Sequence, residues 1–279
     1  MSFAAQAQVF TFTRDQMVKY TAQNPFERFE NGRPKVPDAL LEKMKGLSVE
    51  EVWAVLPNAG YRSQYEGNWQ ILHPEKKLVG RAVTAQFMPL RPDIGDVAEA
   101  DAKARNASSS PNQRVIDLLQ PGDVLVVDLF GKVEDGTMVG DNLAYYISQV
   151  AKSGLVVDGA IRDLEGIFQF DMAAYFRGAH PSAIRNVMLT GVNVPVRIGN
   201  ATVMPGDVVF GDREGIYFIP PQLVQKVLDK ADETHIHDDW TKKMLGTGKY
   251  KSSEIYGTPK DPKLKKEYDD YLKEHLGKK

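Results

Sequence analysis

Within Ser153–Ile167, SGLVVDGAIRDLEGI, an apolar run ends abruptly in charge, with Arg162, Asp163 and Glu165 inside four positions. A carboxylate at the tip of a buried strand can hold a hard divalent cation, because Mg²⁺ is satisfied by one or two protein carboxylates and keeps several waters. A guanidinium beside it can grip a substrate carboxylate through two parallel N–H donors. The alternative is a structural ion pair that closes a strand–loop corner. Upstream, Gly140-Asp141-Asn142-Leu143 opens a helix. A helix start offers free amide N–H groups to an anion. Arginine, a metal and a row of amides together suit a small 2-oxo acid such as pyruvate, whose carboxylate and keto oxygens can share one cation. Simple capping by Asp141 or Asn142 is the alternative there.

These residues need elements to bring them together. DNLAYYISQVAK over 141–152 places Leu143, Ile147, Val150 and Ala151 on one helical face, with Gly154 as the expected C-cap. VLVVDLFG before it and LVVDGAI after it are near-continuous apolar runs, the pattern of strands covered on both faces. Strand, short helix and strand argue an α/β fold, in which sites gather beyond the carboxyl ends of strands.

The rest of the chain is punctuated differently. Residues 1–37 read as irregular, broken by Pro25, Pro34 and Pro37. Asp38 is the expected cap of a helix DALLEKMKGL, and Ser48 with Glu51 forms a capping box for SVEEVWAVL. LVGRAVTAQFM is a strand. Residues 92–112, acidic then alanine- and serine-rich, read as an inserted surface loop or lid. Later segments alternate short strands with the turns at Pro205-Gly206-Asp207 and Gly211-Asp212, followed by an amphipathic helix over Leu223–Asp232. The α/β unit is expected over 38–237, and 238–279 is a lysine-rich helical arm.

Composition narrows the chemistry. The absence of cysteine excludes disulfides, thiolate metal sites and cysteine nucleophiles. A net charge of −2 without a long single-sign block gives no general nucleic-acid or membrane surface. No run of about 18 apolar residues exists to span a bilayer. Ala5-Gln6-Ala7 matches a signal-peptide cleavage pattern but lacks a basic region and apolar core before it. The expected location is therefore the cytoplasm, with export as the alternative if that pattern is the remnant of a trimmed signal.

VGDNLAYYISQVAKSGLVVDGAIRD resembles the central signature of the RraA-like / 4-hydroxy-4-methyl-2-oxoglutarate aldolase family. GRAVTA at Gly80–Ala85, PGDVLVVD at Pro121–Asp128 and NVPVRIGNATVMPGDVVFGDREGIYFIP at Asn193–Pro220 extend the resemblance over residues 38–225. It implies a single swivelling β/β/α domain, assembled as trimers or hexamers with sites between subunits. It also implies a class II pyruvate aldolase dependent on Mg²⁺ or Mn²⁺, often with oxaloacetate decarboxylation as a side activity. Asp163 would be the metal ligand, Arg162 the partner of carboxylate and enolate, and Gly140–Leu143 the source of amides. Asp141 or Glu165 would orient a water that moves the proton. This chain departs from the pattern in several places. Asp141 stands where the family has glutamate, and Asn142 where it has an aliphatic residue. Gly166 stands where an acid is expected three positions after the aspartate. VEEVWAVL replaces an S-D-A-L-like segment. Some relatives regulate a ribonuclease by docking, so a non-catalytic binding role is the rival expectation.

Other residues carry weaker signals. His235, His237, Asp238 and Asp239 resemble metal ligands, but helical residues two apart diverge in direction. His180 is a proton carrier or a backbone-bonded loop residue. Asp207 and Asp212 suit side-chain-to-backbone bonds in tight turns. Tyr145 and Tyr146 fit a buried and an interface ring, and Arg177 faces either the site or a subunit contact.

Overall fold

The computed structural model describes residues 10–276. In chain order the elements are α1 (Arg14–Tyr20), α2 (Asp38–Met44), α3 (Val49–Trp53), β1 (Tyr65–Glu66), β2 (Gln70–Leu72), β3 (Leu78–Pro89), α4 (Pro92–Ala104) and α5 (Pro111–Ile116). They continue with β4 (Asp123–Thr137), α6 (Asp141–Val150), β5 (Gly154–Ile161), α7 (Leu164–Ile167), β6 (Ala173–Ala179), β7 (Val187–Val192), β8 (Val196–Ile198) and β9 (Ala201–Val203). The chain closes with β10 (Val208–Gly211), β11 (Ile216–Ile219), α8 (Val224–Gly246), α9 (Ser252–Ile255) and α10 (Pro262–Leu276).

The fold is α/β, built on one mixed sheet ordered β1-β11-β10-β3-β4-β5-β6-β2, with β7 also paired to β3. The centre, β3 to β6, is parallel, and every outer pairing is antiparallel. β3 meets β10 along Leu78–Arg81 and β7 along Ala85–Pro89, so the sheet changes partner halfway along one strand. All of β5 is buried, because apolar clusters cover both faces. Val157 and Ile161 pack beneath α5, α6 and α7, while Val156 packs toward the β8–β9 hairpin. Each such buried aliphatic contributes about 1.5–3 kcal/mol of transfer free energy. A third cluster joins α2, α3 and the first half of α8 to β10 and β11.

Several expectations need correction. The N-terminal segment is not wholly irregular: Thr13 and Gln16 form a reciprocal capping box that starts α1. Ala5-Gln6-Ala7 lies outside the described residues. Asp38 does not cap α2; its carboxylate accepts from Arg81 Nη1 at 2.6 Å. Residues 92–112 are not a loop. They hold α4 and the start of α5, and Ala102 and Asn112 are buried. Ala151, not Gly154, closes α6, and Gly154 begins β5, where a side chain would collide with the Ala173 carbonyl. The Ser48–Glu51 box is present, with the Ser48 amide donating to Glu51 Oε2 at 2.7 Å.

The C-terminal helix α8 runs from the third cluster through residue 238 without interruption, so the arm begins as a continuation of the core. Beyond it, α9 and α10 fold back and bury Trp240, Met244, Ile255 and Leu264. His235 and His237 meet different partners on either side of α8. His235 Nε2 stands 2.6 Å from Glu51 Oε1, and His237 meets the Gly257 carbonyl and the edge of Tyr268.

Candidate active site

The parallel register carries β5 out to Ile161, beside Ala179 of β6, and the chain then turns sharply. Arg162 keeps its backbone tied to this corner by donating to the Val139 carbonyl at 3.0 Å. Asp163 follows in the left-handed region, at φ 57° and ψ 44°. A non-glycine residue held there costs on the order of 1 kcal/mol, and aspartate tolerates it better than most. The conformation lets Asp163 cap α7, whose Gly166 and Ile167 amides both donate to its carbonyl at 3.0 Å. It also turns the carboxylate back toward the start of α6.

That start is Gly140, in extended conformation, immediately before Asp141. A Cβ on Gly140 would collide with Asp163 Oδ2 and lie 3.1 Å from Arg162 Nε. The close approach that the sequence left open is therefore made: the N-cap glycine of α6, the guanidinium and the carboxylate meet at one point. Arg162 Nε donates to Asp163 Oδ2 at 3.2 Å, with both side chains close to half exposed. Arg162 Nη1 reaches toward the Ser182 carbonyl at 3.5 Å. The amide row is shorter than expected, because the Asn142 amide donates to Asp141 Oδ1 at 2.7 Å. The Asp141 and Leu143 amides remain at the helix start. Asp141 itself sits against α7: a Cβ on Gly166 would lie 2.8 Å from Asp141 Cβ and 3.1 Å from its Oδ2.

A cavity of about 290 Å³ opens at this corner. Of the residues expected to form the site, Gly140, Leu143 and Arg162 line it. Asp163 borders it through Arg162 and Gly140, Asp141 sits at the α6–α7 contact, and Asn142 is exposed. Glu165 is exposed on α7 and is not among the lining residues. The remaining wall comes from Thr137–Val139, from Ala183 and Ile184, and from Ser109–Gln113. Sequence reasoning missed that last stretch. Its serine-rich composition hid it, although Val115 and Ile116 just beyond carry the apolar spacing of a docked helix.

Among the described residues, no three His, Cys, Asp or Glu side chains converge on one point. This donor set does not suit zinc, which takes three or four protein ligands. A hard cation needs only one carboxylate and water, and Asp163, close to half exposed beside the cavity, is a carboxylate that could serve.

Neighbouring candidates have structural partners. His180 Nδ1 accepts from the Ser182 amide at 3.3 Å and lies 2.9 Å from Ser182 Oγ, which makes it a backbone-bonded loop residue. Arg177 does not line this cavity. It pairs with Asp158 and Glu66 at 2.6 and 2.8 Å and stacks on Trp69. Asp207 and Asp212 accept from the Met204 and Glu214 amides, as turn carboxylates do. Tyr145 and Tyr146 on α6 are both exposed.

The chain has recognisable relatives. The model of the RraA-like family, described as Aldolase/RraA, matches residues 35–218. A Halalkalibacterium halodurans protein named "Putative 4-hydroxy-4-methyl-2-oxoglutarate aldolase" is 29% identical over 160 residues, covering 56% of this chain and 75% of that protein. One of the same name from Ectopseudomonas mendocina is 35% identical over 108 residues, 39% of this chain and 66% of that protein. The crystal structure of Streptomyces coelicolor RraAS2, described as an unusual member of the RNase ES inhibitor RraA protein family, superimposes with a TM-score of 0.63 at 27% identity. That superposition covers 78% of this chain and 99% of RraAS2.

Proposed function

The chain belongs to the RraA-like family, and from that premise we propose that it is a divalent-metal-dependent pyruvate aldolase that cleaves a 4-hydroxy-2-oxo acid. The observation that carries the reading is the convergence of Gly140, Arg162 and Asp163 at the carboxyl end of β5. The names of the aldolase relatives support it.

In this reaction the C4 hydroxyl loses its proton, the C3–C4 bond breaks, and the bonding electrons pass into the enolate of pyruvate. A proton then returns to C3. Asp163 would hold Mg²⁺ or Mn²⁺, which supplies Lewis acidity for the keto oxygen. Arg162 is placed to bind the substrate carboxylate and to face the negative charge that grows on the enolate. The Asp141 and Leu143 amides add donors with no reorganisation at the moment of reaction, and loss of one such donor typically costs about 100-fold or more in rate. Asp141, at the start of α6, is the carboxylate assigned to moving the proton: Oδ1 is engaged by the Asn142 amide, and Oδ2 remains as acceptor. Glu165 has no part in this scheme. The same enolate chemistry would let the site decarboxylate oxaloacetate. Tyr145, Tyr146 and Phe168, all exposed beside the corner, fit burial against a second copy in a trimer or hexamer.

The test is pyruvate release from 4-hydroxy-4-methyl-2-oxoglutarate and from oxaloacetate, with Mg²⁺ and after EDTA treatment. Metal-restored turnover that is lost in Asp163→Asn supports the proposal. Turnover indifferent to EDTA, or retained in that variant, removes the metal role. The likeness to RraAS2 favours one second reading, regulation of a ribonuclease by docking. Stable co-elution with a ribonuclease, together with no turnover of either acid, would establish it instead.

A further inference from the structure

The cavity beside Arg162 has a second wall, and its chemistry is distinct. Ser109, Ser110, Asn112 and Gln113 line it, together with Thr137. These side chains are polar and uncharged, and no carboxylate is among the lining residues. Arg162 is the one cation there. A ligand that enters finds a guanidinium for one end and hydroxyl and amide donors for the rest. On the serine side, away from Asp163, an ammonium group would find no counter-charge among the lining residues.

The wall is held in place from behind. Arg114 is buried and donates through Nε to the Ser108 carbonyl at 2.6 Å and through Nη2 to the Ser109 carbonyl at 3.4 Å. Its other bonds form a two-pronged pair with Glu99 of α4, at 3.0 and 2.6 Å. Asn112 is buried too, and its Nδ2 donates to the Met138 carbonyl at 2.9 Å. Met138 directly precedes Val139, whose carbonyl accepts from the Arg162 amide. A continuous set of bonds therefore fixes the serine stretch relative to the Arg162 backbone. Ser108 Oγ donates to Gln113 Oε1 at 2.6 Å, which commits that oxygen and leaves the Gln113 NH₂ as a donor. Side chains held this way lose little freedom when they bind.

We propose that Ser109, Ser110 and Gln113 recognise the oxygen-bearing distal half of the 2-oxo acid, the half beyond C3, and that Arg114 with Glu99 acts as the positioning pair for this wall. The assignment rests on the aldolase reading and deepens it by naming where substrates longer than pyruvate are told apart from it. It gives α4 and the serine stretch a role in specificity rather than in chemistry.

The experiment is calorimetric titration of the full-length protein in Mg²⁺ with two unreactive probes, pyruvate and 2-oxoglutarate, which share the 2-oxo acid end and differ in the distal carboxylate. The proteins are the wild type, Ser109→Ala/Ser110→Ala, Gln113→Ala, Arg114→Ala and Arg114→Lys. In the wild type 2-oxoglutarate binds more tightly than pyruvate. The serine and glutamine variants weaken 2-oxoglutarate about 10-fold and leave pyruvate within about twofold. Arg114→Ala does the same, and Arg114→Lys restores part of the loss. Two results overturn the proposal while leaving the aldolase reading intact: equal wild-type affinity for the two probes, or equal weakening of both in the variants. If neither probe binds the wild type, both proposals fall. A normal circular dichroism spectrum for the double serine variant separates loss of recognition from loss of fold.

Discussion

Gly140 and Asp163 are packed so tightly that a single added methyl on the glycine would overlap the aspartate's Oδ2. The two residues lie on different elements, one at the start of α6 and one just beyond β5. Their contact defines the corner of the site. Gly140→Ala is expected to push the carboxylate and the Arg162 head away while leaving the surrounding core untouched. The expected outcome is a loss of turnover of about 100-fold or more with a melting temperature close to wild type. Near-normal kcat in this variant would show that Asp163 has no fixed task there. Steady-state kinetics and a thermal melt on the same preparation decide it.

The buried ion pair between Arg33 and Asp123 ties the N-terminal segment to the sheet. The two prongs are each 2.9 Å long, and Asp123 is fully buried. Arg81 lies 3.6 Å from the same carboxylate, too far to replace the lost bonds. Removing one member of such a pair leaves an uncompensated charge and typically costs about 3–5 kcal/mol. Arg33→Met is expected to lose stability in that range by urea unfolding, with an unchanged m-value. Arg33→Met combined with Asp123→Asn is expected to recover part of the loss. Additive costs in the double variant would argue that the two side chains do not depend on one another.

The central elements were legible because their signals are local and redundant. β5 is a continuous apolar run, α6 has a clean helical face, and the turns at Asp207 and Asp212 carry their own bonding groups. The candidate corner was legible in residue types, since Arg162, Asp163 and the helix start at Gly140 could be named before their contact was seen. Glu165 lies farther from the corner than its sequence position suggested. Proximity in sequence placed it near Asp163, but the short turn of α7 leaves it exposed outside the cavity. Ser109–Gln113 shows the opposite error. Polar composition suggested a solvated loop, whereas one buried arginine and one buried asparagine bring the stretch to the site. Asp38 was assigned to its own helix and is used by Arg81, a partner 43 residues away. Long-range partners of this kind leave no trace in local pattern.

The C-terminal helices form a satellite core with its own reporter. Trp240 on α8 is almost fully buried against Tyr268 of α10, with Met244, Ile255 and Leu264 around it. Trp53 is largely exposed. Deleting residues 247–279 is therefore expected to red-shift the Trp240 emission and to create an exposed apolar patch. The main sheet is expected to survive, because the first half of α8 packs on a different cluster. Fluorescence of the truncated chain, with Trp53→Phe and Trp69→Phe as background so that Trp240 is the remaining tryptophan, reads the change directly. An unshifted spectrum would mean that Trp240 finds its cover elsewhere.

Asp207 gives stability a pH dependence of definite sign. Its carboxyl is buried in the turn before β10, and burial pushes it up to about 7, with the Met204 amide acting weakly in the other direction. In the unfolded chain an aspartate sits near its ordinary value of about 3.9. Between those values the folded chain keeps a proton that the unfolded chain has released. By linkage this contribution favours folding below about pH 4, declines as pH rises, and is fully lost above about pH 7. The full swing is at most roughly 4 kcal/mol. Asp207→Asn stays neutral throughout and keeps an oxygen for the Met204 amide. Its stability relative to wild type is expected to be near parity at pH 4 and to rise steadily toward pH 8. Paired urea titrations at several pH values isolate this group from every other titrating side chain, because the rest cancel in the difference. A flat difference across the window would place the ordinary carboxylate, charged and satisfied, in the folded chain.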